Sequence, residues 1–278
     1  MDDQIAQFKK LSSAFASAAK AVLEAQKAMN ASKPVTQNIQ ITCEKAAASL
    51  QKISNADGQI AALQKALTAR GTQARIELEK ERALLAGLVA KALQAQGLRV
   101  EGNLPLLKVG HLSLEFVFGT KGACNIWFGP KISRLAVCGL DAEQIAAKTC
   151  EFHSSLFAAE FDEQAFLKKL RKAYKLALTT AGKGDGDRVP IVALMTNMAF
   201  LMQKPTFLTD PRRESFTPYG RVEFAADLSR LKNRTIGEWT LRLDVATMVQ
   251  TKRLEDHLWI PRNPDGAHYA TASFVKVQ

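Results

Sequence analysis

The sequence predicts an α+β protein: an N-terminal antiparallel helical hairpin or coiled coil, then a basic α+β domain with a small antiparallel meander and helices. Three observations support this prediction. Residues 3–97 are rich in alanine and place apolar side chains at helical spacing. Beyond residue 103, apolar and polar residues alternate as they do in strands. The chain of 278 residues carries a net charge of +11, contributed by both parts. We therefore predict two domains, at residues 1–103 and 104–278.

The N-terminal part predicts long helices. Residues 3–31 contain no proline or glycine, and residues 30–34 end in a proline that favours a turn, so a second helix would run antiparallel to the first. The apolar pattern resumes and continues through residues 60–88, where its spacing is typical of a coiled coil. Residues 55–58 (Asn-Ala-Asp-Gly) either end the second helix or interrupt one continuous rod. We expect residues 3–97 to bind a second copy of the chain or a protein partner.

The C-terminal part predicts strands and helices in alternating blocks. Residues 106–140 predict an antiparallel meander, because short apolar runs lie between glycines. Residues 141–203 predict helices, and residues 204–278 predict a helix followed by a β hairpin. The expected helices cover residues 141–158, 162–180, 190–203 and 218–232, and the expected closing strands cover 239–249, 258–260 and 269–277.

The order of a basic helix, a buried helix, a further helix and a hairpin is that of a winged helix-turn-helix domain. On this hypothesis the helix at 218–232 enters the major groove of DNA, and the turn at 261–266 is the tip of the wing. The alternative is a helix and hairpin with a solvated basic face. The residues predicted to contact nucleic acid are Arg212, Arg213, Tyr219, Arg221, Arg230, Lys232, Arg234 and Arg262, with Lys168, Lys169, Arg171 and Lys172 on the basic helix.

Signatures of catalysis and metal binding are weak. Cys124, Cys138, Cys150 and His153 lack the close cysteine pairs of structural zinc sites, so no metal is expected. All four cysteines, including Cys43, are expected to be thiols. Glycine-rich segments at 119–122 and 182–186 lack phosphate-loop spacing. Two further motifs are treated as structural: Ser229 with Lys232, which has the spacing of a serine-lysine nucleophile, and Asp256-His257 facing His268, which could form an acid-base pair. The tryptophans Trp127, Trp239 and Trp259 are expected in the core.

These observations predict a non-enzymatic subunit of a larger intracellular assembly, with a coiled coil for assembly and a basic domain that contacts the phosphates of DNA or RNA. The rival hypothesis is a scaffold or adaptor protein without nucleic-acid contact, and a third is an enzyme whose site converges from distant residues. No cofactor is expected. No long apolar run predicts a membrane span, and the unpaired cysteines and acidic N-terminus favour the cytoplasm.

Overall fold

A computed structural model of the chain describes residues 2–32, 34–51, 53, 58–119, 122–262 and 265–277. The chain divides into two compact units. The smaller unit contains Met1–Ala92, Phe116–Ala123 and Gly139–Ala142, and the larger contains Leu93–Glu115, Cys124–Cys138 and Glu143–Gln278. The fold is mixed helix and antiparallel sheet with a helical N-terminal region, which confirms the predicted class at this level.

Three helices form most of the smaller unit: α1 (Asp2–Met29), α2 (Thr36–Gln51) and α3 (Gly58–Ala95). They share one apolar cluster in which many of the side chains are alanine, so the backbones come close together. A Cβ atom at Gly71 of α3 would lie 3.3 Å from Cγ of Glu44 on α2. The buried members of the cluster are Ala18, Ala21, Ala25, Ile39, Cys43, Ala46, Leu50, Ile53, Leu67 and Ala74.

The sequence left open whether residues 55–58 end a helix, and α3 begins at Gly58. Residues 54–57 lie outside the described residues. The predicted coiled coil is not confirmed, because the shared cluster is an alanine-rich contact among three helices rather than a leucine seam between two. Along α3, Leu84 and Leu88 are 65% and 49% exposed.

The first sheet is a five-stranded antiparallel meander in the order β1-β2-β3-β4-β5. Its alternating apolar residues were visible in the sequence for β3 and β4, whereas β1 and β2 were not assigned as individual strands. The strands are β1 (Val100–Asn103), β2 (Leu106–Val109), β3 (Leu112–Val117), β4 (Ala123–Phe128) and β5 (Ser133–Cys138).

Five helices follow or separate the strands of the larger unit. The longest, α5, begins where the Asp162 carboxylate accepts a hydrogen bond of 2.9 Å from the Ala165 amide, and it ends at Gly182, whose φ of 64° suits a left-handed C-cap. The helices are α4 (Ala142–His153), α5 (Glu163–Ala181), α6 (Ile191–Leu201), α7 (Pro205–Thr209) and α8 (Arg221–Arg230), with a π-helical turn at Ser154–Ala158 after α4.

The second sheet does not confirm the winged-helix expectation. The hairpin assigned to the wing, β9 (Leu258–Pro261) and β10 (Gly266–Lys276), belongs to a five-stranded antiparallel sheet in which β10 also pairs with β6 and β8. A hairpin embedded in this way is not a free wing, so the winged-helix arrangement is not confirmed. The remaining strands are β6 (Val189–Pro190), β7 (Thr235–Ile236) and β8 (Trp239–Val245), and β8 ends four residues before the predicted boundary.

Candidate nucleic-acid interface

One face of α5 is lined with lysines and exposed. We call Lys168, Lys169, Lys172 and Lys175 the lysine face; all four are exposed, while the opposite side of α5 is buried in the apolar core. From Gln164 to Ala181 the helix contains no acidic residue. Within the described part of the chain none of the four forms an ion pair, although the Lys169 ammonium lies 3.6 Å from the sulfur of Met202. The lysine face is therefore a concentrated positive surface.

Arg171 lies on the other side of α5 and is not part of this surface. It is 9% exposed, its guanidinium carbon lies 3.9 Å from the ring centre of Trp239, and Nη2 donates to Asp185 at 3.2 Å. Tyr174 and Phe274 also line the guanidinium. The prediction that Arg171 contacts nucleic acid is thus not supported by its position, because its guanidinium contacts Trp239 and Asp185 and is not exposed to a ligand.

Two predicted contact residues near α8 are tied to groups within the larger unit. The Tyr219 hydroxyl donates to Asp227 at 2.8 Å, and burial raises the pKa of both the phenol and the carboxyl. Arg230 is half-buried, donates to the carbonyl of Ala159 and lies 4.3 Å from the ring centre of Phe161. Neither side chain is free to read a base.

Arg221 fixes the loop before β9. Its guanidinium donates to the carbonyl of Leu254 at 2.9 Å and to the carbonyl of His257, and burial lowers its pKa. A side chain that satisfies two loop carbonyls stabilises the loop, and removing it would leave those acceptors without a donor. Its predicted role in base recognition has no geometric support.

The remaining predicted residues lie at or near the surface in separate places. Arg212 and Arg213 are exposed in the segment before α8, and Arg212 is paired with Asp210 at 2.6 Å. Lys232 is exposed and Arg234 is half-buried in the segment after α8. Arg262 is exposed next to the β9–β10 turn, with Nη1 3.4 Å from the Tyr269 hydroxyl.

In the candidate catalytic pair, His257 is buried and His268 is half-buried. The rings of His257 and His268 lie 4.7 Å apart, edge to face, and Nδ1 of His257 is 2.9 Å from the carbonyl of Arg253. Burial lowers the pKa of His268, and its Nδ1 is buried without a hydrogen-bond partner in the described residues. The carboxylate of Asp256 is 3.9 Å from Arg253. These contacts stabilise a loop rather than present an acid and a base to a substrate.

The cysteines are thiols in the described structure. Cys124 and Cys138 face each other across β4 and β5, both are buried, and burial raises the pKa of Cys124 to about 12. Cys150 is half-buried, and burial raises its pKa as well. Across the described ranges, no three His, Cys, Asp or Glu residues are grouped so as to hold a metal ion.

Of the three tryptophans, Trp259 is 5% exposed, whereas Trp127 and Trp239 are half-buried. Trp127 donates from Nε1 to Glu115 at 3.0 Å, and Trp239 lies against Arg171. The predicted core position is therefore confirmed for Trp259, whereas Trp127 and Trp239 are only partly buried.

Comparison of the chain with protein-family models, with curated proteins and with solved structures finds no match. Within the described residues, every helix is too short or too polar to cross a bilayer. The geometry of the chain itself is therefore what bears on its function.

Proposed function

We propose that the chain is a non-enzymatic nucleic-acid-binding subunit that contacts the phosphates of DNA or RNA chiefly through the lysine face of α5. The observation that carries the proposal is the set of four exposed lysines on a helix that has no acidic residue from Gln164 to Ala181. Lys168, Lys172 and Lys175 follow one another at one-turn spacing over about 10 Å of helix axis, which suits the dense charge of a phosphate backbone. Base recognition by α8 is disfavoured because Tyr219, Arg221 and Arg230 form hydrogen bonds with other residues of the protein.

The test is fluorescence anisotropy with a labelled duplex and a labelled single strand over a salt series. Each phosphate contact contributes about 0.9 to the slope of log K against log salt on duplex DNA, so Lys168→Ala/Lys172→Ala/Lys175→Ala should reduce the slope by about 2.7. A matched control removes three exposed lysines from α1, at Lys9, Lys10 and Lys20. The control changes net charge equally and should leave the slope nearly unchanged.

Two results would contradict the proposal. Absence of binding at low salt would remove nucleic acid as a partner. An equal reduction of the salt slope in the α5 variant and the α1 control would show that binding depends on net charge and not on a defined interface at α5. A further variant, Arg212→Ala/Arg213→Ala/Arg262→Ala, separates the lysine face from the exposed arginines that the winged-helix hypothesis favoured.

The second candidate is an adaptor that assembles through the helical unit, as the coiled-coil hypothesis predicts. It is favoured by an apolar groove of about 360 Å³ lined by residues of α1, α2 and α3, including Leu23, which is 50% exposed. A second copy of the chain would be the occupant, and light scattering would detect it. Leu23→Glu should abolish the dimer, while Ala16→Glu, on an exposed position outside the groove, should not. A monomer at all concentrations would exclude self-assembly.

A further inference from the structure

A cavity of about 400 Å³ in the larger unit has no role in the proposed nucleic-acid interface. Strands β2 and β3 of the first sheet form one side of it, and the β9–β10 hairpin forms the other, with Trp259 and Gly266 in its lining. Its volume falls within the range of about 300 to 1,000 Å³ typical of small-molecule sites. Most of its lining is apolar.

The wall at Trp259 is tightly built. A Cβ atom at Gly266 would lie 2.1 Å from Cζ2 of the indole, and one at Gly129 would lie 2.7 Å from Cζ3, so both positions need glycine in this packing. The ring of Phe128 meets the indole edge to face at 5.2 Å. A wall held on several sides by backbone and aromatic contacts keeps its shape when the cavity is empty, which favours a preformed site.

The polar groups of the lining combine donors with acceptors at no net charge. The Lys108 ammonium is paired with the Asp265 carboxylate at 2.9 Å. Burial, with the nearby Lys108 charge, lowers the pKa of His111 and keeps its imidazole neutral. Ser113 is 6% exposed and also lines the cavity. A serine hydroxyl both donates and accepts hydrogen bonds, so it offers both functions to a polar ligand atom in the cavity.

We propose that this cavity binds an uncharged planar heteroaromatic ring of the purine or pyrimidine type. Such a ring has apolar faces for the walls and an edge of donors and acceptors for Ser113, His111 and the Lys108–Asp265 pair. A hydrocarbon would form no hydrogen bond with these polar groups, and a multiply charged anion would meet a cation that is already paired. The ring could belong to a free nucleoside or to an unpaired base of a strand. The proposal does not depend on the lysine face.

The test is isothermal titration calorimetry of the full-length chain with adenosine and with uridine. Indane serves as an all-carbon bicyclic control. A nucleoside of this size should bind with a Kd on the order of 0.1 mM. Ser113→Ala should weaken adenosine binding about threefold to tenfold, which is the range expected for one lost hydrogen bond. The same variant should not weaken the binding of indane.

A filling variant locates the site. Leu106 lines the cavity and is 37% exposed, so the larger side chain of Leu106→Phe can fill the cavity without disturbing the core. This variant should weaken adenosine binding at least about tenfold. Val137→Phe is the matched control, because Val137 is 55% exposed on β5 of the same sheet and does not line the cavity. Thermal unfolding of both variants checks that the fold is retained.

The proposal is overturned if neither nucleoside binds, if indane binds as tightly as adenosine, or if Leu106→Phe and Val137→Phe behave alike. If adenosine displaces a labelled single strand from the cavity, the natural occupant is a base of that strand. Simultaneous binding of both assigns the cavity to a free nucleoside. The triple alanine variant of α5 should leave the adenosine Kd unchanged, so failure of the nucleic-acid proposal would not be mistaken for failure of this one.

Discussion

Replacing Arg171 by alanine should destabilise the larger unit by about 2 to 4 kcal/mol without changing the salt dependence of nucleic-acid binding. The desolvated contact with Trp239 is worth about 2 kcal/mol and the buried alkyl stem about as much again. The ion pair with Asp185 adds under about 1 kcal/mol, because that carboxylate is 45% exposed. Nη1 is buried and forms no hydrogen bond with the described residues, so its removal offsets about 1 to 2 kcal/mol of this destabilisation.

Urea unfolding followed by tryptophan fluorescence measures this loss, since all three tryptophans belong to the larger unit. The neighbouring Lys172→Ala is the matched control. Because Lys172 is exposed, its removal should change stability by less than about 0.5 kcal/mol, but should reduce the salt slope by about 0.9. Equal stability of the two variants, or a smaller salt slope for Arg171→Ala, would refute the assignment of Arg171 to the core.

Three further outcomes follow from single contacts. Gly266→Ala should lower the free energy of unfolding by about 1 to 3 kcal/mol through overpacking against the indole, whereas Gly184→Ala, which meets no atom closer than 3.8 Å, should be near neutral in thermal unfolding. Burial lowers the pKa of His268 below its ordinary 6.5, so the unfolded chain protonates first and stability is lost as pH falls through that value; His268→Phe should flatten this loss in urea titrations. Iodoacetamide should label native Cys150 before Cys124, and mass spectrometry showing the reverse order would contradict the burial of Cys124.

Regular patterns were predictable where an element is long enough to repeat them. Helix α5 was expected at 162–180 and occupies Glu163–Ala181, because an aspartate cap and a glycine stop bracket it. Strands of two to four residues, such as β6 and β7, are too short to show alternation. The cavity beside Trp259 has no local sequence signature, because its walls come from segments far apart in the chain. Its glycines are required only because the Trp259 indole packs against them, and that contact is visible only in the folded structure.

On α5 and α8 the predicted arginines are buried or half-buried, whereas the predicted lysines of α5 are exposed, and helical periodicity explains this difference. On α5, Arg171 shares a face with the buried Leu167, Leu170 and Tyr174, so helical spacing places this arginine on the buried side although the sequence analysis counted it among the contact residues. On α8, Arg221 lies three residues before the buried Phe224 and falls on the same stripe. The guanidinium is weakly hydrated and offers five donors, so it can be buried where carbonyls and aromatic rings surround it, whereas a lysine ammonium is strongly hydrated and stays in water. Counting positive charge along a basic helix therefore overestimates its interface. On α5, the lysines that remain exposed after Arg171 is assigned to the core are the residues whose charge is available to a polyanion.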